Sequence, residues 1–158
     1  MEGKLSFEDV LNRDGRLVYT NVGVSMSPLI REGRDVLIIE KCNTSAPKKY
    51  DAVLFKRDNV KGRGEYVLHR IVKILPDNNF YIVGDNDTTG EIVNINQILG
   101  VLTGIHRGEK QVDFTSLKYR AYIYLWCAPY HLKFAVLHIK HFVSYAFSAV
   151  LYKLKIRR

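Results

Sequence analysis

The chain of 158 residues has only two cysteines, Cys42 and Cys127. Two thiols so far apart in sequence make neither a disulfide framework nor a zinc ligand set. They read as reduced thiols of a cytosolic protein. His131, His138 and His141 lie without acidic or cysteine neighbours, so no metal site and no cofactor is expected. Long apolar runs are also missing. Residues 4–13 carry Lys4, Glu8, Asp9 and Arg13. The longest charge-free stretch near the C-terminus, His141–Tyr152, falls short of the ~18 residues that argue for a membrane span. No apolar run of secretory length follows the start, so the expected location is the cytoplasmic side of the membrane.

Acidic residues are absent beyond Asp113. Residues 1–113 hold all 16 acidic residues and 16 of the 24 basic ones, so that body is neutral. The whole formal charge of +8 sits in residues 114–158. Any electrostatic partner is therefore recruited by the tail. Its basic residues are spread among apolar ones rather than clustered for groove reading, so nucleic acid is not expected.

What is present reads as a mostly β, antiparallel body over 1–113 followed by a helical, basic, aromatic-rich tail over 114–158. Residues 4–13 suggest a short helix capped near Ser6, with Phe7, Val10 and Leu11 on one face. β-rich runs follow at 17–22, 35–40, 51–56, 65–74, 80–83 and 98–105, separated by Gly, Asn, Asp and Lys clusters. Residues 41–50 form a connector, and Arg107-Gly108-Glu109 a turn. From Ser116 the pattern turns helical, with Tyr119, Tyr122, Tyr124 and Trp126 before a break at Pro129. From Tyr130 to Ile156, Leu132, Val136, Ile139, Val143, Phe147, Val150 and Leu154 recur at three- or four-residue spacing. Such a tail suits peripheral contact with the inner face of an anionic membrane. The competing expectation is packing on the body or on a partner protein.

Three short motifs carry the chemistry: Ser25-Met26-Ser27-Pro28, His69-Arg70-Ile71-Val72 and Gly84-Asp85-Asn86. A serine hydroxyl is a poor nucleophile alone. A histidine can take its proton near neutral pH, and a carboxylate can orient the imidazole and stabilise its cation. Gly23 permits positive φ and Pro28 stops regular structure, which suits an exposed, tightly turned loop with backbone N–H groups facing an oxyanion. Arg70 and Met26 read as structural residues.

The run Gly23–Ile38 resembles the nucleophile segment of type I signal peptidases and of the related self-cleaving SOS-repressor (LexA-like) domains. His69-Arg70-Ile71-Val72 resembles the general-base segment of the histidine-type variants: endoplasmic-reticulum, archaeal and sporulation-type signal peptidases. Gly84-Asp85-Asn86 resembles their third box, and the likeness covers roughly residues 20–106. It implies a signal-peptidase/LexA-like fold and a serine endopeptidase acting on an extended peptide or protein substrate. Ser25 would be the nucleophile and His69 the base, with small residues flanking the scissile bond. Gly23 stands where bacterial relatives carry an assisting serine, so the oxyanion hole would be backbone only, around Ser25 and Gly23. The acid stays open among Asp85, Asp87 and Glu91. The family's N-terminal anchor has no counterpart here. One alternative is a catalytically inactive binding or regulatory protein on the same scaffold. A self-cleaving regulator would need a helix-turn-helix ahead of the serine, and about twenty residues leave no room for one.

Overall fold

The computed structural model describes residues 5–42, 46–57 and 65–156, with side chains undescribed at 141 and beyond 145. Within the predicted connector, residues 43–45 lie outside the described residues, as does Lys4 of the predicted first helix.

The first helix, α1 (Phe7–Asp14), starts where Ser6 allows it. The Ser6 hydroxyl accepts from the Asp9 N–H at 3.1 Å, and the Asp9 carboxylate accepts from the Ser6 N–H at 3.0 Å. This reciprocal cap satisfies two otherwise orphaned donors. Gly15 in the left-handed region ends the helix. The amphipathic face of α1 packs on the sheet through buried Leu11, with Phe7 stacked on Tyr66 at 4.8 Å.

Eight strands follow among the described residues: β1 (Arg16–Thr20), β2 (Asp35–Lys41), β3 (Ala52–Arg57), β4 (Glu65–Ile74), β5 (Asn79–Val83), β6 (Gly90–Asn94), β7 (Ile98–Arg107) and β8 (Lys110–Gln111). They form one antiparallel sheet in the order β1-β2-β7-β3-β4-β5-β6, with β8 added to β7. Register shifts at Ile38/Ile39, Leu54/Phe55 and Ile71/Lys73 kink the strands, as bulges do. One buried cluster gathers Leu11, Met26, Ile30, Leu37, Leu54 and Ile105. A second gathers Val53, Phe55, Ile71, Ile82 and Val93. Alternate residues of β3 feed the two clusters, as the period of two requires.

The predicted strands are present. Two more were not expected: β8, and β6, whose Gly-Glu-Ile-Val-Asn holds only two apolar residues between loop-forming neighbours. Beyond β8 the chain leaves the sheet through α2 (Leu117–Tyr122), a wider π turn (Ile123–Cys127) and α3 (Tyr130–Ile156). Pro129 falls at the break, where it cannot continue the hydrogen-bond ladder.

Two features of the topology create a site. Among the described residues β1 is an edge strand that pairs with β2 alone. Among the described residues β4 pairs with β3 over Glu65–Arg70 but with β5 only from Arg70 onward, so its first half has an open edge there. His69 is the last residue before that edge closes.

Candidate active site

The turn after β1 carries Ser25. Gly23 has φ +101°, a conformation other residues rarely adopt, and it lets the chain reverse ahead of the serine. The turn is held at both ends. The Asn21 side chain donates to the Gly23 carbonyl at 3.0 Å, and the Ser27 N–H donates to the Val24 carbonyl at 3.0 Å. Buried Met26 and Ile30 pin it from below, so Met26 is a core residue. Further on, Arg107 makes a two-point contact with Asp35 at 2.8 and 2.6 Å and donates to the Leu29 carbonyl at 2.9 Å. These hydrogen bonds to Arg107 hold the Asp35 carboxyl below the usual carboxylate range.

Ser25 and His69 line one cavity of about 510 Å³, together with Tyr19, Asn21, Tyr66 and Asp87. Both open strand edges contribute to its walls. The loop after β5 closes the far side: the Asn86 N–H donates to the Ser25 carbonyl at 2.7 Å. Gly84 makes that approach possible. A Cβ there would lie 2.3 Å from the Asp87 carboxylate and 2.9 Å from the Ser25 carbonyl oxygen.

Two carboxylates lie near His69, and their distances and partners set them apart. The His69 Nε2 lies 3.2 Å from Asp87 Oδ2, and its Nδ1 lies 3.6 Å from Glu91 Oε1. Glu91, however, is bound at both oxygens by Arg57, with one contact at 2.9 Å. Its negative charge is shared with a guanidinium, which leaves Asp87 the better partner for the imidazole.

Asp85 is a correction to the expected catalytic set. Its two oxygens accept from Arg70 at 2.8 and 2.7 Å, from the Tyr122 hydroxyl at 2.9 Å and from the Cys127 thiol at 3.5 Å. Arg70 and Asp85 are 0% and 1% exposed at the side chain. The reason is strand parity. His69 and Arg70 are consecutive, so their side chains leave β4 on opposite faces. The arginine takes Asp85 away from the histidine. Burial alone would pull the Arg70 guanidinium down, but the charge of Asp85 and its hydrogen bonds hold it well above its ordinary value.

Gly23 is the second correction. Its N–H donates to the Glu32 carboxylate at 2.6 Å, so this amide is spent. The Ser25 N–H makes no hydrogen bond among the described residues and remains available.

The tail supplies residues that sequence reasoning did not associate with the site. Besides Tyr122 and Cys127, the Trp126 indole N–H donates to the Asp85 carbonyl at 2.9 Å. The Lys133 ammonium donates to the Gly84 carbonyl at 2.9 Å. Arg70 also reaches the Tyr50 carbonyl at 2.8 Å and the Tyr119 hydroxyl at 3.3 Å. The aromatic tips at 119, 122 and 126 therefore point into a polar network beneath the Gly84–Asp87 loop. Burial pushes the Cys127 thiol up to about 12, reinforced by the nearby Asp85 charge, so it is an inert donor. The three- and four-residue spacing of these aromatics was a signal for one helix face; nothing in it told what that face would meet.

No helix among the described residues is long and apolar enough to cross a membrane. No protein-family model, curated protein or solved structure matches this chain.

Proposed function

We propose that this chain is a serine endopeptidase of signal-peptidase type, built on a signal-peptidase/LexA-like β scaffold. The observation that carries this reading is the shared cavity: Ser25 and His69 line it, with a carboxylate 3.2 Å from the imidazole. An extended peptide enters as an added strand along the open edges of β1 and β4, which fixes its backbone across the serine. His69 takes the Ser25 proton at Nδ1, the ring nitrogen that Asp87 does not hold, as the hydroxyl attacks the scissile carbonyl. The free Ser25 N–H meets the developing oxyanion. His69 then protonates the leaving amine, and water releases the acyl group by the reverse sequence. Asp87 holds the imidazole and balances its charge while it is protonated.

The competing reading, a binding protein that has lost turnover, draws on the spent Gly23 amide. Digestion of a peptide library, read by mass spectrometry, separates the two. Hydrolysis by the parent protein that disappears in Ser25→Ala and in His69→Ala supports the peptidase. An intact library, with peptides retained on the protein, supports the binding module.

A further inference from the structure

α3 has two faces with different fates. Lys133 and Leu137 are buried against the body. Leu132, Val136, Ile139 and Val143 lie on a stripe roughly 110° around the helix from them. These four are 65%, 45%, 65% and 59% exposed. An ordinary amphipathic helix turns its apolar stripe inward. Here the inward face includes a lysine, and the aliphatic stripe faces solvent.

Charge selects what can cover it. No acidic residue follows Asp113, while eight Lys and Arg do. A second copy of the same helix would bring like charge against like, with no carboxylate in either tail to offset it. An anionic lipid surface offers the opposite sign and an apolar layer for the stripe. We propose that α3 docks on an anionic membrane, lying along the interface with Leu132, Val136, Ile139 and Val143 turned into the lipid. The inference goes beyond the peptidase reading and holds whether or not Ser25 is a nucleophile. Lys133, in the first turns of the docking helix, is bonded to Gly84, so the loop that borders the Ser25 cavity is tied to the membrane-facing element.

The test is sedimentation of the full chain with vesicles of phosphatidylcholine alone or of equal parts phosphatidylcholine and phosphatidylglycerol. The expected result is binding to the anionic vesicles, weaker binding to the neutral ones and loss with added salt. Leu132→Glu combined with Ile139→Glu weakens the anionic binding about a hundredfold. Both side chains are exposed, so circular dichroism and the melting temperature stay those of the parent. Equal binding to neutral and anionic vesicles would overturn the proposal. So would parental binding by the double variant, or a concentration-dependent dimer in light scattering that the double variant abolishes.

Discussion

His69 and Arg70 are neighbours on one strand, and each finds a carboxylate in the same short loop. The two pairs nevertheless occupy opposite environments. Arg70 and Asp85 are sealed, with every oxygen of the acid met by a donor. His69 is nearly buried at 9% exposure, while its partner Asp87 is 34% exposed and borders a cavity. A sealed pair cannot exchange protons with a substrate, but it can fix the loop. A pair at a cavity wall can exchange protons, provided something else fixes the loop. Alternation along β4 thus separates a structural ion pair from a candidate catalytic one within two residues.

The largest effect expected from this division is on stability. Asp85→Asn leaves a guanidinium buried without its counter-charge, which costs about 3–5 kcal/mol. Denaturant titration followed by circular dichroism measures it. Asp87→Asn should leave the same titration within about 0.5 kcal/mol of the parent, because that carboxylate is partly solvated. Its effect falls on turnover: kcat/KM drops about 10²-fold, at the lower end for general acid–base contributions. Equal destabilisation by the two substitutions would erase the distinction between the pairs.

A smaller effect sharpens the link to the tail. Burial holds the Lys133 ammonium below its ordinary value of 10.5, with Asp85 acting in the opposite sense. The unfolded chain then binds that proton more tightly than the native one. The Lys133 contribution to stability therefore rises as pH climbs from the native value towards 10.5, and is constant below that window. Lys133→Met removes this rise. Stability of parent and variant measured across the alkaline range should diverge with increasing pH, in favour of the parent. Parallel curves would mean that the ammonium is not desolvated beneath the loop.

Most of the body was legible because its strands are apolar runs with clear breakers, and the segment 65–74 with His69 inside it forms β4 as expected. β6 was not legible, because pairing with β5 rather than its own composition makes it a strand. The turn that carries Ser25 was legible from Gly23 and Pro28. The carboxylate nearest His69 was not. Asp85, Asp87 and Glu91 are similar in sequence, and only the competition from Arg70 and Arg57 separates them. At the start of the tail, packing on the body was one of two open expectations, and the sequence did not decide between them. Tyr122 and Trp126 have polar tips as well as apolar rings, and periodicity says nothing about which end is used. Their tips meet Asp85, whereas Leu132, Val136, Ile139 and Val143 of α3 form the aliphatic stripe their spacing implied, and the spacing did not tell that it would be exposed.

The account stands on Ser25 being activated by His69. Labelling of the intact chain with a fluorophosphonate, with the modified residue located by mass spectrometry, tests this directly. The account predicts a single adduct on Ser25 that is lost in Ser25→Ala and in His69→Ala and slowed in Asp87→Asn. An unlabelled parent protein, or an adduct on Ser25 that forms equally fast without the imidazole, would contradict it.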